Sequence, residues 1–560
     1  MNNLTRVHLV IFVVILGVFK IYFAFAGEII IMSTCRIIGE WCEISHPNRL
    51  KTGETVMKKK VLLFSIILVL LIMIGCGEKQ EKPAQTRTDT TQIAPAKISP
   101  MREQHKAGHV PVAFGEGGQI KMLYDCRQRP QCVYLNNKVH IVFNAGGKPG
   151  APAKSPTKPM AVTYDPITRE FSEVVTLGPG NKDHHYGPVI WADEDDYLHV
   201  LFGCHATPGT HLISKQPGSI GSSLDSWDKG AQIAPGISYP AIFRIYDDKE
   251  LIYYRTGGHP SSWTYRITDD NGKTWTAPAR DVTDMDINGR TEWSSYQSKL
   301  PSKDGKLLHV AFITYDDNKP NDPKRFYNPR YDMAVENDWK YNLNYYDWKY
   351  NLYYVKIDLN THDVTNFEGE SMKTPIDIDQ ADAKCRIWDT KWRGTGVPPT
   401  IVLDENGDPA FLHVLSEETL EDHQYYYVRR ANGKWKQTPI TRSNHQWNSC
   451  HLTRDDNGTL HACLIIGDGY LNTGGYMDSY GGGTIEEWVS IDKGNTWKKE
   501  RELTPDKSRY PGWKYNNIQP VKRPDGSFVD GMLLFYGWKD KDAPEAKAFL
   551  LHEDTVYVSE

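Results

Sequence analysis

The sequence predicts an all-β fold, a seven-bladed β-propeller of four-stranded antiparallel blades. The main support is a hairpin pattern that occurs seven times: an apolar run, an Asp/Asn/Gly turn and a second apolar run. Repeated hairpins of this kind, about 40–50 residues or more apart, are typical of propeller blades. Aromatic residues make up 11% of the chain, which also favours strands over helices. The seven turns centre on Asn137, Asp196, Asp248, Gly305, Gly407, Asn457 and Gly526.

A second motif supports the same fold. The segments Thr268–Trp275 and Ser490–Trp497 both follow the pattern S/T-x-D-x-G-x-T-W, the Asp-box. In this hairpin turn the Asp accepts hydrogen bonds, the Gly takes a positive φ, and the Trp packs between blades. The motif describes turn geometry and carries no chemistry, so both copies are predicted to be structural.

The first 76 residues are predicted to direct export. From Met57 the chain has three lysines, an apolar run over 61–74 and then Gly75-Cys76, a pattern typical of a bacterial lipoprotein signal. Residues 57–76 are therefore the predicted signal peptide, and Cys76 is the predicted lipidation site. Residues 1–56 are interpreted as a mis-assigned upstream segment or an extra leader. The alternative is a membrane helix over residues 8–26.

The remaining chain divides into a tether and one domain. Residues 77–108 are rich in Glu, Lys, Gln, Thr and Pro and are predicted to be a disordered linker. Residues 109–560 are predicted to form the propeller, as a monomer. An insertion at Asp338–Leu352 contains DWKYNL twice and is predicted to extend a hairpin at a blade's rim, as a packed edge or a sugar-stacking surface. Gly77 gives no inner-membrane retention signal, so an outer-membrane lipoprotein facing the exterior is expected.

Charge and cysteine content limit the function classes. The net charge is −5, and residues 1–76 carry eight Lys/Arg and four Asp/Glu, which leaves −9 for the rest. That sign gives no long-range attraction to nucleic acid, so an acidic ligand requires a local cationic pocket. No CxxC or HExxH spacing occurs, so no catalytic metal or other cofactor is predicted, and a structural ion stays open. Cys450 and Cys463 are predicted to face each other across a hairpin, as a disulfide or as two thiols, and the state of the Cys126/Cys132 pair stays open.

Candidate site residues follow from the repeat alignment. The hairpin over 183–205 carries His185 before its first strand and His205 after its second, so the two rings are predicted to be neighbours. The same face receives Tyr239, Arg255 and Tyr296 from the next two blades. Asn448 and Asn517 occupy equivalent strand entrances in two further blades and, together with Tyr296, are predicted substrate contacts. His184 is the alternative to His185.

This set of residues suits β-elimination on a uronic acid. Removal of the proton on C5 requires that the adjacent carboxylate be neutralised, and Arg255 can bind it in a bidentate manner. Tyr239 is the predicted proton-transfer group, with His185 as the second one and His205 as a carboxylate or sugar contact. Which of His185 and Tyr239 is the base and which the acid stays open.

Around these residues the sequence resembles a known family. It is similar to the BNR-type seven-bladed propeller lyases of polysaccharide lyase family 25 and, as the next most similar family, to those of family 24. The segments that carry this similarity are DHHYGP, LHVLFGCH, SYPAIFR, LIYYRTGG and WSSYQSKL. Those enzymes cleave ulvan, a sulfated rhamnose–uronate polymer of green algae. The resemblance implies an acidic algal polysaccharide as substrate and an active site that contains His185, His205, Tyr239, Arg255 and Tyr296.

Two other functions stay open at this point. A propeller glycoside hydrolase of the sialidase or rhamnosidase type would need two carboxylates or an arginine cluster at these positions. A non-catalytic glycan-binding lipoprotein would have the aromatic residues without the His/Tyr/Arg set. The preference for glucuronate or iduronate and endo or exo action are not predicted.

Overall fold

The structure is a computed structural model, and it describes eleven segments of the chain. The predicted leader, lipoprotein signal and linker, with Cys76, lie outside them, as do Cys126 and residues 338–348 of the insertion. The described residues are 112–116, 125, 127–145, 157–181, 184–286, 293–316, 349–391, 393–417, 422–467, 481–539 and 546–552.

Within these segments the strands form seven separate antiparallel sheets, which are the seven blades of a propeller. Every sheet contains a path of at least four strands, so the predicted all-β fold and blade number are confirmed. The first strand of the described residues, β1 (Val112–Glu116), belongs to the last blade. Blade I contains β2 (Cys132–Leu135), β3 (Lys138–Ala145), β4 (Lys158–Asp165), β5 (Glu170–Phe171) and β6 (Val175–Thr176).

The next three blades have the same order from first to last strand. Blade II contains β7 (Val189–Ala192) and β8 (Leu198–Phe202), followed after β9 (His205–Thr207) by β10 (Thr210–Ser214) and β11 (Trp227–Lys229). Blade III contains β12 (Ile237–Arg244), β13 (Glu250–Arg255), β14 (Trp263–Thr268) and β15 (Asp281–Thr283), and β9 pairs with β12. Blade IV contains β16 (Trp293–Pro301), β17 (Leu307–Asp316), β18 (Lys349–Asp358), β19 (Val364–Thr365), β20 (Arg386–Trp388) and β21 (Gly394–Thr395).

The last three blades complete the ring. Blade V contains β22 (Thr400–Leu403), β23 (Pro409–Ser416), β24 (His423–Ala431) and β25 (Lys434–Arg442). Blade VI contains β26 (Cys450–Arg454), β27 (Leu460–Ile466), β28 (Thr484–Ser490) and β29 (Lys498–Glu502). Blade VII contains β30 (Lys514–Lys522), β31 (Phe528–Trp538), β32 (Ala546–His552) and β1.

Inner strands surround a central shaft. The first strand of a blade contacts that of the next one, as β2 does with β7, β22 with β26 and β26 with β30. The ring closes where β2 meets β30 and where β1 pairs with β32. Blade VII is therefore built from both ends of the described chain.

Helical structure is sparse in the described segments. It consists of 3₁₀ turns at His184–Tyr186, Leu224–Ser226 and Tyr246–Asp248, an α-turn at Ile378–Gln380 and a π-turn at Ala381–Cys385. Among the residues that the structure describes, no helix has the length and apolar character needed to cross a membrane.

The seven predicted turns join the first and second strands of the seven blades. Six of the predicted landmarks have a positive φ, from 54° at Asp248 to 84° at Gly526. In blade VI the positive φ belongs to Gly458, one residue after the predicted Asn457. Gly, Asn and Asp tolerate this conformation, which is why the turn residues could be recognised in the sequence.

Both Asp-boxes have the predicted geometry. Asp270 accepts hydrogen bonds from the Thr274 backbone nitrogen at 2.8 Å and from its hydroxyl at 2.6 Å, and Asp492 does the same with Thr496 at 2.9 and 2.7 Å. Trp275 packs against the apolar cluster between blades II and III. The two motifs therefore fix the turns between the third and fourth strands of blades III and VI.

Gly494 of the second Asp-box allows a prediction about stability. Its φ is +78°, and an added Cβ would overlap the ring of Tyr427 in blade V. We expect Gly494→Ala to lower the free energy of unfolding through two effects, a left-handed alanine at about 1–2 kcal/mol and overpacking at about 1–3 kcal/mol. Thermal and urea denaturation measure the sum.

Gly407→Ala is the matched control for this variant. Gly407 has a φ of +81° with no atom within 4 Å of the added Cβ, so this variant reports the backbone cost alone. Equal destabilisation by the two variants would contradict tight packing of this Asp-box against blade V.

One predicted pairing is wrong by one residue. Cys450 pairs with Leu464 and Cys463 with His451, so the two cysteines lie on opposite faces of the hairpin. The pairing is symmetric about Asn457, whereas the prediction placed the centre between residues 456 and 457. Neither these two cysteines nor Cys132 forms a disulfide in the part of the chain that the structure describes.

Candidate active site

The hairpin formed by β7 and β8 brings two histidines together, as predicted. The rings of His185 and His205 stack with centroids 4.4 Å apart and planes inclined by 24°. His185 lies in the 3₁₀ turn before β7, where its carbonyl oxygen accepts a hydrogen bond from the Gln128 side chain. The side chain of His184, the alternative candidate, lies outside what the structure describes.

Tyr239 reaches these histidines from blade III because β12 is distorted at that point. Its φ is +54°, and the pairing of β12 with β13 skips from Ser238 to Ala241. A positive φ is costly for a bulky residue and is found mainly where function requires a particular orientation. The Tyr239 ring lies 5.7 Å from that of His185 and 5.4 Å from that of Tyr296. The two phenol oxygens are 3.3 Å apart.

Arg255 ends β13 directly beneath this pair. The side chain is fully buried, and its guanidinium carbon lies 4.8 Å from the ring centre of Tyr239 and 5.7 Å from that of Tyr296. Its Nε donates to the Gly257 carbonyl at 3.3 Å. Its two terminal nitrogens have no hydrogen-bond partner among the described residues. A buried guanidinium with two open donors can take a carboxylate in a bidentate manner.

A second arginine, which the sequence analysis missed, lies against the same tyrosines. The Arg127 guanidinium is 4.6 Å from the ring centre of Tyr239, 4.8 Å from that of Tyr296 and 5.5 Å from that of Trp447. It forms an ion pair with Asp125, with Nε 2.8 Å from Oδ1. Tyr239 and Tyr296 each lie nine residues before the turn of their blade, and the same count from the first turn, Asn137, leads to Gln128, the neighbour of Arg127 and not Arg127 itself.

Lys349 is the other missed cation, and it comes from the repeated insertion. It is the first residue of β18 and is fully buried. Its Nζ lies 4.8 Å from the ring centres of Tyr296 and Tyr315 and 4.9 Å from that of Trp447. The described end of the insertion thus lies beside the active-site tyrosines, and residues 338–348, which carry the prediction of a hairpin at the rim, lie outside the described residues.

These cations act on the two phenols unequally. Burial raises the pKa of Tyr296, but the charges of Arg127, His259, Lys349 and Arg255 outweigh it and lower that pKa to about 7. Burial and the neighbouring Tyr296 raise the pKa of Tyr239, against the opposing effect of the two arginines. Tyr296 is therefore the phenol of the pair that ionises first, and Tyr239 is its hydrogen-bond donor.

The two predicted asparagine contacts lie in blades VI and VII. Asn448 uses its side chain within the protein: Nδ2 donates to the carbonyls of Ser443 and Ile465, and Oδ1 accepts from the Gly482 nitrogen at 2.7 Å. Asn517, with a φ of +57°, donates to the Tyr536 hydroxyl at 2.6 Å. Both are buried, and contact of either with substrate stays a prediction. Within the described segments no group of three or more His, Cys, Asp or Glu side chains could hold a metal ion.

Comparison with known proteins agrees with this geometry. Residues 157–443 match the profile of the BNR repeat-containing family. The chain is 24% identical over 387 residues to an ulvan lyase of Alteromonas sp. (strain LOR), which covers 64% of this chain and 69% of that protein. It is 22% identical over 476 residues to an ulvan lyase of Nonlabens ulvanivorans, which covers 80% of this chain and 87% of the relative.

Solved structures support the same fold. A polysaccharide lyase family 25 ulvan lyase superposes with a TM-score of 0.61 at 19% identity, covering 79% of this chain and 96% of that one. A second structure of that kind, described as bound to -[GlcA(1-4)Rha3S]-, gives 0.60 at 18% identity with the same coverage. Polysaccharide lyase Uly1 gives 0.51 at 12% identity, covering 76% and 90% of the two chains.

Proposed function

This chain belongs to the BNR repeat-containing family, whose profile spans slightly more than half of it, and we propose that it is a polysaccharide lyase that cleaves ulvan. The names of its relatives support that substrate. The observation that carries the proposal is the buried Arg255 guanidinium, which has two open donors and lies beside a pair of hydrogen-bonded tyrosines.

The first step in the proposed mechanism is neutralisation of the uronate. Arg255 binds the carboxylate and stabilises the negative charge that builds on it when the C5 proton leaves. Because the donors are already in place and buried, the protein does not have to reorganise during the reaction. His205 contacts the carboxylate or the sugar next to it.

Proton abstraction then uses both tyrosines. Tyr239 accepts the C5 proton and at the same time passes its own hydroxyl proton to the Tyr296 phenolate. The C5 proton is therefore taken by the Tyr239 oxygen, while the lowered pKa of Tyr296 provides the ionised base. One proton enters the pair, and the electron pair of the C–H bond moves into the carboxylate-stabilised intermediate. The C4–O bond then breaks, and a proton from Tyr239 or His185 goes to the leaving oxygen. The product carries an unsaturated uronate at its new end.

The pH dependence of this mechanism can be tested at Lys349. The reaction needs the deprotonated form of Tyr296, so kcat/KM is expected to increase with pH in a single step centred near pH 7, where Tyr296 ionises. Removing one nearby cation by Lys349→Met is expected to shift this limb to higher pH by about 1–3 units. Lys356→Met, on the same strand, is the control and should leave the profile unchanged. An unshifted limb in Lys349→Met would argue against Tyr296 as the titrating group.

The lyase proposal is tested by the absorbance near 235 nm during incubation with ulvan. Elimination creates a conjugated double bond, whereas a hydrolase produces reducing ends without that absorbance, and a glycan-binding protein produces neither. Of the two arginines at the site, Arg127 is paired with Asp125, which is the one carboxylate among the site residues described above. These residues therefore provide neither a cluster of open arginines nor the two carboxylates that a hydrolase needs.

We propose further that the enzyme works as a monomeric outer-membrane lipoprotein on the outside of the cell. The support is the signal pattern that ends at Cys76, in the sequence alone. Cys76→Ala is expected to move the protein from the detergent phase to the soluble envelope fraction. Identical partitioning of the variant and the parent would contradict the anchor.

A further inference from the structure

The shaft holds a second compartment on the face of the hairpin turns. This turn-side cavity has a volume of about 590 Å³ and is lined by the inner strands and by turn residues such as Asp248, Gly305 and Gly526. None of the five predicted active-site residues from His185 to Tyr296 lines it. Segment 127–130 lies at the boundary between the cavity and the active site: Arg127 stacks on the active-site tyrosines and also lines the cavity, and Arg129 lines the cavity.

Backbone hydrogen bonds hold segment 127–130 in place. The Arg129 nitrogen donates to the Pro240 carbonyl at 3.0 Å, and the Arg129 carbonyl accepts from the Ile242 nitrogen at 3.1 Å. The Pro130 carbonyl accepts from the Ile190 nitrogen at 2.9 Å. The segment is thus bound to blades II and III, and Arg129 is held at a defined position in the cavity wall.

The cavity is cationic in a chain whose net charge is −5. Seven Lys or Arg residues line it against four Asp or Glu residues. Arg129, Lys299 and Lys522 form its inner group, since the charge of Arg129 acts on both lysines. Burial first, and Arg129 second, lower the pKa of Lys299 to about 7 and that of Lys522 to about 8. An anion between these groups would relieve that mutual repulsion.

The two lysines lack counter-charges in the described part of the chain. Lys299 donates to the Gln297 carbonyl at 3.2 Å and lies over the rings of Tyr253 and Trp263, and Lys522 lies over the ring of Phe528. No ion pair of either one occurs among the described residues. Native proteins rarely bury a charged lysine without an opposite charge, so each of the two lysines indicates a nearby anion.

Neutral polar groups in the same wall are also unsatisfied. The Gln519 side-chain nitrogen and both ring nitrogens of His451 are buried and have no hydrogen-bond partner among the described residues. Gln519 and His451 both line the cavity with the three cations. Because buried polar groups are nearly always hydrogen-bonded, these orphan groups indicate a missing acceptor.

We propose that the turn-side cavity binds a tetrahedral dianion, which is free sulfate, free phosphate or the phosphate monoester of a sugar, through Arg129, Lys299 and Lys522, with Gln519 and His451 as further hydrogen-bonding groups. Three cations match two negative charges better than one, and a tetrahedral oxyanion offers acceptors in all directions. The rest of the volume leaves room for the sugar of an ester. Arg129, Lys299 and Lys522 are not among the residues of the site proposed to cleave ulvan.

The test is isothermal titration of the purified full chain with sodium sulfate, against sodium chloride at equal ionic strength. One sulfate per chain is expected to bind. Lys299→Met and Lys522→Met are each expected to weaken that binding by at least about tenfold, as loss of one charge-assisted hydrogen bond would. Lys303→Met is the matched control, because Lys303 lines the cavity but is exposed, and its substitution also removes one positive charge. The affinity of this variant for sulfate should stay within about twofold of that of the parent.

Thermal denaturation in the same salts keeps the test valid if a variant is less stable. Lys522→Met removes a repelled cation, so its melting temperature in chloride should not fall, while the increase in sulfate is lost. A sugar phosphate monoester in place of sulfate distinguishes an ester from a free anion by its affinity. The proposal is overturned if sulfate gives no heat and no shift beyond chloride, or if Lys303→Met weakens binding as much as Lys522→Met does. Lyase activity in Lys522→Met should equal that of the parent.

Discussion

Arg255→Asn is expected to lower the turnover of ulvan by at least about 100-fold, the scale on which one preorganised electrostatic donor acts. The variant keeps a polar side chain but loses the charge and the paired donors that would bind the carboxylate. The initial rate of absorbance increase at 235 nm, over a range of substrate concentrations, separates kcat from KM. The effect should fall on kcat because the carboxylate gains most of its charge after substrate has bound.

The melting temperature of the variant distinguishes a loss of catalysis from a loss of folded protein. Arg255 is a buried cation whose terminal nitrogens have no partner in the described segments, so replacing it should leave the melting temperature unchanged or higher. Arg266→Asn, on the adjacent strand β14, is the control: Arg266 bonds the Tyr254 hydroxyl and the Thr276 carbonyl, and its loss should not affect the rate. Near-parental turnover by Arg255→Asn would contradict its role at the carboxylate.

Tyr239→Phe is expected to reduce turnover at least as much as Arg255→Asn does. The substitution keeps the ring between His185 and Tyr296 but removes the oxygen that takes the C5 proton in the proposed mechanism. Substrate affinity and melting temperature should change little, so single-turnover rates and thermal denaturation are the measurements. Tyr253→Phe, whose hydroxyl bonds the Gln297 side chain at 2.7 Å, is a control from the same blade.

Tyr296→Phe complements this variant. It leaves the Tyr239 oxygen in place but removes the phenolate that receives its proton, so the remaining activity should require a higher pH. If Tyr239→Phe retained most of the parental rate, proton abstraction would have to be assigned to His185 or Tyr296, even if the protein is a lyase.

The parts of the site that repeat along the chain could be predicted from the sequence. Tyr239 and Tyr296 stand at the same distance before their blades' turns, and His185 and His205 flank one hairpin, so counting residues was sufficient to bring them together. The propeller itself followed from the same regularity, because each turn requires residues that tolerate a positive φ.

Arg127 and Lys349 could not be found in this way. Arg127 lies before the first recognised hairpin and reaches across the shaft to blades III and IV, and Lys349 enters from an insertion that the other blades lack. The lowered pKa of Tyr296 depends on these two cations, so the sequence favoured Tyr239 as the ionising phenol. The cysteine pairing was wrong because a half-residue difference in the turn centre moves a side chain to the other face of the sheet.

The pairing of β1 with β32 affects both the folding rate and the kinetic stability of the propeller. Val112 pairs with Leu550, so the ring can close only after nearly the whole domain has been synthesised. Contacts this distant in sequence slow folding, and until they form, the edge of β32 is open to other chains. Once they have formed, blade VII cannot detach at one end without losing its fourth strand. Slow closure and slow opening then go together, so resistance to proteases is set by the rate of unfolding.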